Sequence, residues 1–320
     1  MKYELWIANY FIPLYPIMDP LISFIVTYHN EPEDYLEACL QSIQALSSFS
    51  EEEAEIVLVD DGSRVPPTFV GSAGIHYVRQ EHAGLSVARN TGIKYSRGKY
   101  LQFVDADDYI ISGVYESVIE QIRGKGVDVI LFRMTKKAVQ NKTERAFQVK
   151  PNSCHAISST KGQYAGCHFL QHHNLRAAAW GYVFKREILG DLRFYPGLLH
   201  EDELFTPQLF LRAKSLLELK TEAYFYRQHE GTITHSKSLG MIFKRLDDTL
   251  FIIRELYSLH NPVLERRVRQ LTVDYLQKIW TTTHSSRELF LRSHELRKEG
   301  FLPLPVRFYS LRYFVFSLVF

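Results

Sequence analysis

The sequence is poor in the features that define several classes of protein. Its three cysteines, Cys39, Cys154 and Cys167, are far apart and form no Cys-x-x-Cys pair. An odd and scattered set favours neither a disulfide framework nor a zinc ribbon, and it is typical of a reducing compartment. The 17 glycines and 12 prolines are too few for a collagen-like or low-complexity chain. A formal net charge of +2 argues against a protein whose main task is to bind a nucleic-acid backbone.

Long apolar runs are also missing. No stretch of about 18 uninterrupted apolar residues occurs, so the sequence predicts no transmembrane helix. Residues 1–20 are aromatic and broken by prolines, and they lack the apolar segment and small-residue cleavage site of a signal peptide. We therefore expect these residues to form an N-terminal extension of a cytoplasmic protein.

Basic residues are concentrated near the end of the chain. Residues 1–240 carry 25 Lys+Arg against 28 Asp+Glu, a net of −3, whereas residues 241–320 carry 13 against 8, a net of +5. The final segment, 308–320, is mostly aromatic and aliphatic. It is too short and too interrupted to span a bilayer, yet too apolar to lie freely in water. It can pack onto the rest of the chain or a second subunit, or it can lie at the inner face of the cytoplasmic membrane with Arg307 and Arg312 near anionic headgroups.

Strand and helix patterns alternate over about 110 residues that begin at Leu21. Apolar runs rich in β-branched residues predict buried strands at Leu21–Val26, Glu55–Val59, Ile75–Val78, Tyr100–Val104 and Val127–Phe132. Apolar residues at helical spacing lie between these runs. The alternation indicates an α/β sheet with right-handed crossovers.

The second half of the sequence is less regular. Residues 133–175 are polar and weakly periodic, and we expect loops there. A helix is predicted at Glu203–Ala213, and one or two strands are predicted at Leu216–Tyr226. From Met241 the pattern is helical, with Pro262 between two long helices that end near Glu299.

Polar clusters follow three of the predicted strands. They are Tyr28-His29-Asn30, Asp60-Asp61 and Asp105-Ala106-Asp107-Asp108. Ligands of α/β sheets bind beyond the carboxyl ends of the strands. We therefore expect these clusters to meet at one edge of the sheet and to form a binding site.

The acids from Asp105 to Asp108 are the clearest chemical signal. Carboxylates this close repel one another unless a positive group neutralises them. Hard oxygen ligands suit Mg²⁺ or Mn²⁺, which usually complete their shells with water and substrate phosphates. The alternative is a solvated acidic turn.

Two further motifs favour a nucleotide ligand. Asp60 and Asp61, which precede Gly62-Ser63, can accept hydrogen bonds from a base N–H or a ribose hydroxyl, although an ordinary Asp-Gly turn is the simpler alternative. Arg89 lies near the start of the helix that follows Gly84. It can pair with Asp61 or Asp105, or bind a diphosphate, or form a structural salt bridge only.

Taken in order, these segments resemble family 2 glycosyltransferases. Matches to the motifs of that family lie at Ile22–Asn30, Val59–Ser63, Gly84–Gly92, Phe103–Asp108, Trp180–Glu187, His200–Phe205, Tyr226–Gln228 and Gly231–Thr234. Together they span about residues 21–235. Where the family usually has Pro-x-Tyr-Asn, this chain has Thr27-Tyr28-His29-Asn30, so His29 takes the position of the aromatic residue near the base.

The resemblance implies a GT-A fold, which is a single, mostly parallel, twisted sheet flanked by helices. It also implies a nucleotide-sugar donor, usually UDP-linked. The expected domains are an N-terminal extension (1–20), a glycosyltransferase domain (21–235) and a helical C-terminal region with an amphipathic tail (236–320). Within the domain, residues 21–132 would bind the nucleotide-sugar and residues 133–235 the acceptor.

The resemblance also implies roles for individual residues. Asp107 would ligate Mn²⁺ or Mg²⁺, and Asp105 would contact the ribose or the metal. Asp60 or Asp61 would hold the uracil or ribose. The residues implied to bind the nucleotide-sugar are Thr27, His29, Asn30, Asp60, Asp61, Arg89, Asp105 and Ala106.

Asp202 is the implied general base. A carboxylate within hydrogen-bond reach can take the proton of an attacking hydroxyl, and a single displacement would invert the anomeric centre. The acids Glu201-Asp202-Glu203 can instead be a helix N-terminal cluster favoured by the helix dipole.

The remaining candidates have simpler alternatives. Trp180 and Glu201 are candidate contacts for the sugar or the acceptor, although Trp180 can equally be a core residue. His229 and His235 are candidate third metal ligands, although a lone histidine is more often structural or solvated.

The sequence therefore predicts a metal-dependent, inverting glycosyltransferase. Its acceptor would be a glycan or a lipid-linked oligosaccharide in surface polysaccharide synthesis. One alternative is a sugar-1-phosphate nucleotidyltransferase, which should carry a Gly-rich, Arg-containing loop where this chain has residues 28–31. The other is a carbohydrate-binding scaffold, which would have no need for both the acids at 105–108 and Asp202.

Overall fold

The computed structural model describes residues 19–47, 50, 52–68, 74–136, 154–156, 165–228 and 238–320. The described strands form one sheet: β1 (Ile22–Tyr28), β2 (Ala54–Asp61), β3 (Ile75–Gln80), β4 (Tyr100–Asp105), β5 (Tyr109–Ile110), β6 (Val129–Thr135), β7 (Cys154–Ala156), β8 (Tyr182–Lys185) and β9 (Leu216–Phe225). The helices that pack around this sheet are α1 (Glu33–Gln44), α2 (Leu85–Tyr95), α3 (Ser112–Lys125), α4 (Ala165–His172) and α5 (Asp202–Leu211).

The strand order is β3-β2-β1-β4-β8-β6-β9-β5, and β7 pairs with β9. The first half of the sheet is parallel, since β1 pairs with β2 and β4, and β2 pairs with β3, in the parallel sense. Strand β8 enters between β4 and β6 antiparallel to both. Every residue of β1 and β2 is buried, which explains their continuous apolar sequences. The predicted α/β class is confirmed, with a mixed sheet.

Helix α2 lies close against the sheet because of one glycine. A Cβ atom on Gly92 would lie 2.1 Å from the side chain of Ile25 in β1. Any larger residue would push the helix away from the strand. This close packing fixes the position of Arg89, which lies one turn before Gly92 on the same helix.

The loops predicted over residues 133–175 are wrong in part. Strand β6 extends to Thr135, β7 pairs antiparallel with β9, and Ala165–His172 forms α4. Helix α4 buries Phe169 and Leu170 and packs against α5. With eight residues, α4 is too short for its apolar periodicity to be recognised in the sequence. A helix of this length depends on tertiary contacts for its stability.

The C-terminal region is helical, as predicted, and consists of α6 (Leu239–Ser258), α7 (Glu265–Thr283), α8 (Ser286–Lys298) and α9 (Leu311–Ser317). The second long helix of the prediction is two helices, because His284 adopts a left-handed backbone conformation and Ser285 caps α8. Residues of α6, α7 and α9 belong to the same buried apolar cluster as β8 and α5.

The tail packs inward on one side and is exposed on the other. Tyr313 is buried, and its hydroxyl donates a hydrogen bond to the Pro305 carbonyl at 3.1 Å. The apolar residues left exposed are Val306, Phe308, Leu311, Val315, Leu318 and Val319. Among the helices described, none combines the length and the hydropathy that a membrane crossing requires.

Candidate active site

The polar residues predicted at strand ends lie along one edge of the sheet. Because β1 pairs in parallel with β2 and β4, Tyr28 lies opposite Asp60, and Thr27 lies opposite Asp105. Thr27 is buried, and its carbonyl accepts a hydrogen bond from the Ala106 amide at 3.2 Å. The residues that the sequence assigned to a nucleotide-sugar site are therefore adjacent, at the edge where α/β sheets bind ligands.

The Asp60 carboxylate stabilises the turn after β2. It is fully buried, and it accepts hydrogen bonds from the Ser63 amide at 2.8 Å and the Tyr77 hydroxyl at 2.7 Å. Gly62 has a φ of +71°, and a Cβ atom there would lie 2.6 Å from the His82 nitrogen. Glycine is therefore required in this turn. Both Asp60 oxygens have partners within the protein.

The Asp61 carboxylate lies at the mouth of the same edge. It accepts hydrogen bonds from the Ala83 amide at 2.9 Å, the Gly84 amide at 2.8 Å and the Gln80 side chain at 2.7 Å. Burial by itself would raise the pKa of Asp61, but these hydrogen bonds outweigh it and lower that pKa. Asp61 is therefore held as an anion that faces the start of α2.

His29 forms a flat aromatic surface beside Asp61. Its ring stacks on the His82 ring with centroids 4.1 Å apart. The His29 Nδ1 lies 2.6 Å from the Asp61 carbonyl oxygen, and its Nε2 lies 3.0 Å from the Asn30 side-chain nitrogen. Asn30 itself has a positive φ of 63°, which asparagine tolerates better than most residues.

Within the described part of the chain, His29, Asp61 and His82 form a candidate metal site. Their possible ligand atoms lie within 4.8 Å of one another. Two imidazoles and one carboxylate suit zinc better than Mg²⁺ or Mn²⁺. The Asp61 carboxylate is already engaged by three hydrogen bonds. The oxygen-rich set that Mg²⁺ and Mn²⁺ prefer lies elsewhere, after β4.

The acids after β4 fit a hard divalent cation. Asp108 is fully buried, and one of its oxygens accepts a hydrogen bond from the Arg227 amide at 2.7 Å. Its Oδ2 atom is buried and makes no hydrogen bond within the described part of the chain, although Tyr224 lies near. Burial, followed by the charges of Asp105 and Asp107, raises the pKa of Asp108 to about 9. A cation would relieve this repulsion and occupy the unpartnered oxygen.

Arg227 and Glu31 are residues that the motif reading did not assign to the site. The Arg227 Nε donates to the Asp107 carbonyl at 2.7 Å, and its guanidinium lies 4.0 Å from the centre of the Tyr35 ring. Burial raises the pKa of Glu31, and the charges of Asp107 and Asp105 raise it further. Backbone hydrogen bonds to the Glu31 carboxylate lower this pKa but do not outweigh burial. The motif that contains Arg227 was recognised, but its contact with residues about 120 positions earlier depends on the fold.

Arg89 joins two parts of the site. It is buried, and its guanidinium donates to the Asp105 carboxylate at 2.9 Å and pairs with the Glu201 carboxylate. Burial by itself would lower the pKa of Arg89, but the carboxylates of Asp105, Glu201 and Asp202 outweigh it and raise that pKa. Of the three partners considered from sequence, the structure selects Asp105 and adds Glu201.

Asp202, the first residue of α5, lines a cavity of about 650 Å³. Residues from α7 and α9 of the C-terminal region complete its wall. Burial, followed by the charges of Glu201 and Glu203, raises the pKa of Asp202 well above its ordinary value. Asp202 is half-buried at the cavity wall, and the raised proton affinity of its carboxylate suits a general base.

Trp180 and Glu201 occupy different environments. The Trp180 ring stacks on Tyr224 at 4.7 Å and Tyr226 at 5.7 Å, and one part of it lines the cavity. It is thus both a core residue and a cavity residue. Glu201 is buried and faces Arg89, and it does not line the cavity. His229 and His235 lie outside the described residues.

Comparisons with known proteins identify relatives of this chain. The family model "Glycosyl transferase family 2" matches residues 23–192, just over half of the chain. The uncharacterized glycosyltransferase EpsJ of Bacillus subtilis (strain 168) is 29% identical over 236 residues, which are 68% of this chain and 64% of that protein. The minor teichoic acid biosynthesis protein GgaB of the same organism is 34% identical over 104 residues, 30% of this chain and 11% of that protein. Across three curated relatives, EpsJ among them, the match spans 64%, 32% and 62% of their lengths.

A solved structure supports the fold. S. aureus TarS 1-349, crystallised in complex with UDP-GlcNAc, superposes with a TM-score of 0.60 over 81% of this chain and 72% of that one, at 22% identity. At this identity the likeness establishes the fold, and the predicted GT-A architecture is confirmed.

Proposed function

Because this chain belongs to glycosyl transferase family 2, we propose that it transfers a sugar from a UDP-linked donor to a hydroxyl group of an acceptor in surface polysaccharide synthesis. The observation that carries the proposal is the buried Arg89 link. It connects Asp105, at the carboxyl edge of the sheet, to Glu201, which precedes Asp202 in the cavity of about 650 Å³ that we propose binds the acceptor, here called the acceptor cavity. The ion pairs of Arg89 fix the position of the sheet edge relative to the cavity. Transfer between a donor bound at one and an acceptor bound at the other requires such a fixed geometry.

The nucleotide would bind along the ends of β1 and β2. The stacked His29 and His82 rings would contact the base, and the Asp61 carboxylate would exchange its contact with the exposed His82 ring, 2.9 Å away, for a hydrogen bond from the base or ribose. The amides of Ala83 and Gly84, just before α2, also donate to Asp61 and hold it at this edge. Asp60 would act indirectly, because its oxygens hold the turn that positions Asp61.

The acids after β4 would hold Mn²⁺ or Mg²⁺. Asp107 and Asp105 are the proposed ligands, and the unpartnered oxygen of Asp108 supports this assignment. When bound, such an ion stabilises negative charge on the leaving diphosphate. Arg89 adds a fixed positive charge to the same acids without contacting solvent.

Asp202 would accept the proton of the acceptor hydroxyl as that oxygen attacks the sugar carbon. Its position on the cavity wall and its raised pKa support this role. A single displacement from the face opposite the diphosphate inverts the anomeric centre.

The proposed acceptor is a glycan or a lipid-linked oligosaccharide at the cytoplasmic face of the membrane. Two observations support this. A relative of this chain carries the name of a teichoic acid biosynthesis protein. The tail exposes the apolar residues Phe308, Leu311 and Val319 and the basic residue Arg307, a combination suited to an anionic lipid surface.

The test is turnover by the purified full chain. A panel of UDP-sugars and GDP-mannose is incubated with methyl glycosides as acceptors and with Mn²⁺, Mg²⁺ or chelator, and both the released nucleoside diphosphate and the new glycoside are measured. We expect release from a UDP-sugar that depends on the cation, and a product of inverted anomeric configuration by NMR. Release of pyrophosphate from UTP and a sugar phosphate would indicate a nucleotidyltransferase instead. No release from any donor would contradict the proposed function.

A further inference from the structure

The acceptor cavity is built from two parts of the chain. Asp202 and Trp180 come from the glycosyltransferase domain, whereas Arg267, Asp274 and Arg312 come from the helical C-terminal region. The residues proposed to hold the diphosphate and metal, Asp105 and Asp107, are not among those that line it. Charges within this cavity therefore face the acceptor and not the donor.

Most charged groups of the cavity are paired with one another. Arg267 forms an ion pair with Glu203, and Arg312 forms one with Asp274. These pairs neutralise four charges and leave Asp202 as the carboxylate available for proton transfer.

Two cations of the cavity have no such partner. Neither Arg176 nor Lys136 forms an ion pair with a carboxylate in the described part of the chain, and both contact aromatic rings instead. The Arg176 guanidinium lies 4.8 Å from the centre of the Trp180 ring, and the Lys136 ammonium lies 5.8 Å from the centre of the Tyr226 ring. Since Trp180 and Tyr226 stack on each other, the two cations lie along one aromatic platform.

Arg176 and Lys136 are both exposed to solvent, so an anion can reach them. Partial burial lowers the pKa of the Arg176 guanidinium, and the charge of Tyr226 opposes this effect. A ligand anion at this place would supply the charge partner that no carboxylate of the described residues gives Arg176. A planar guanidinium can bind phosphate or carboxylate with two hydrogen bonds, and a nearby ammonium can share the charge.

We propose that the acceptor is acidic, and that Arg176 and Lys136 bind a phosphate or carboxylate group carried next to the hydroxyl that Asp202 deprotonates. This inference rests on the proposed function and adds a substrate class to it. Trp180 and Tyr226 would contact the sugar or polyol part of the acceptor, and the two cations would select its acidic group.

The experiment compares matched acceptors with the full chain. Methyl glucoside is neutral, methyl glucoside 6-phosphate carries a phosphate, and methyl glucuronide carries a carboxylate. The ratio of kcat/KM for each acidic acceptor to that for the neutral one is measured with wild type, Arg176→Gln, Lys136→Gln, Arg176→Lys and the exposed control Arg287→Gln. Binding of the same three compounds without donor is measured by calorimetry.

The wild type should favour an acidic acceptor by about tenfold or more, and each glutamine variant should reduce that ratio by about tenfold, the value of one charge-assisted hydrogen bond. Arg176→Lys should retain most of the ratio, because it keeps the charge, and Arg287→Gln should leave it unchanged. A preference for one acidic compound would distinguish phosphate from carboxylate.

Equal use and equal binding of neutral and acidic acceptors by the wild type would overturn the inference while leaving the proposed function intact. An unchanged ratio in both glutamine variants would do the same. If no donor is turned over, the proposed function fails, and the calorimetric comparison alone then decides whether the cavity binds acidic glycosides.

Discussion

Arg89 donates a hydrogen bond of 2.9 Å to the carboxylate of Asp105 from a fully enclosed position in helix α2. The same guanidinium pairs with Glu201, which immediately precedes the proposed base. One side chain thus connects the end of β4 with the start of α5. Because α2 is held against β1 by the absence of a side chain at Gly92, the position of this guanidinium is fixed by the sheet.

Replacing Arg89 should harm both stability and catalysis. Arg89→Met leaves the buried Glu201 without its partner, and breaking a buried ion pair on one side costs about 3–5 kcal/mol. We expect a lower free energy of unfolding in urea and a loss of transfer that exceeds the loss of folded protein. Arg89→Lys keeps the charge but cannot reach both carboxylates, so it should be intermediate. Wild-type stability for Arg89→Met would contradict the proposed link.

Asp107→Asn should abolish transfer while the fold survives. The change removes the charge of a proposed metal ligand, and we expect a loss of about 100-fold or more, as for other groups that stabilise a developing charge. Mn²⁺ binding measured by calorimetry should weaken in parallel. Asp34→Asn, at an exposed acid of α1, is the matched control. Unchanged Mn²⁺ affinity in Asp107→Asn would remove the metal role from this residue.

Asp202→Asn should retain donor binding and lose turnover. An amide cannot accept the proton of the acceptor hydroxyl, and a positioned general base contributes about 10²–10⁴-fold. The affinity for the UDP-sugar is measured by calorimetry and kcat by release of UDP. Asp191→Asn changes a highly exposed carboxylate and serves as the control. Weaker donor binding with a normal kcat would make Asp202 a binding residue.

The raised pKa of Asp202 has two consequences that depend on pH. Transfer needs the ionised carboxylate, so kcat should fall as the pH drops through this raised pKa, at a higher pH than for a free carboxyl group. Folding is linked in the opposite sense. The folded state holds the proton more tightly than the unfolded chain, so ionisation of Asp202 destabilises the fold as the pH rises above the unfolded pKa of about 4.

Asp202→Asn should therefore be more stable than the wild type at pH 8, because the amide removes the charge that burial and the neighbouring acids disfavour. The difference should vanish below about pH 3, where Asp202 is largely protonated in both the folded and the unfolded wild type. Urea unfolding at the two pH values measures this effect. Equal free energies of unfolding for the two proteins at pH 8 would contradict the raised pKa of Asp202.

The exposed face of the tail should bind anionic membranes. Phe308→Ser, Leu311→Ser and Val319→Ser combined remove exposed apolar groups without touching the buried Tyr313, so α9 should stay folded. We expect the wild type to sediment with phosphatidylglycerol-containing vesicles at low salt and the triple variant to do so several-fold less. Truncation after Leu302 should give the same loss. Val65→Ser, at an equally exposed apolar residue, is the control. Equal sedimentation of the wild type and both variants would refute attachment through the tail.

The local sequence determined much of the architecture by itself. The apolar runs of β1 and β2 can be buried only between two layers of helices, and their spacing from α1 and α2 requires parallel crossovers. The motifs at Asp60-Asp61 and Asp105–Asp108 follow strands that must end at the same edge. Those features depend on short stretches of chain, and for that reason a single sequence was sufficient to predict the α/β class and the site edge.

Only the tertiary structure decided which side chains meet. The Arg89–Glu201 pair joins residues 112 positions apart, and no local pattern distinguishes it from the alternatives that the sequence allowed. The stacking of His29 on His82, and the cavity that α7 and α9 close over Asp202, arise in the same way. Long-range pairs of this kind are selected by the packing of whole elements, since burial and charge compensation can be evaluated only after distant segments have come together.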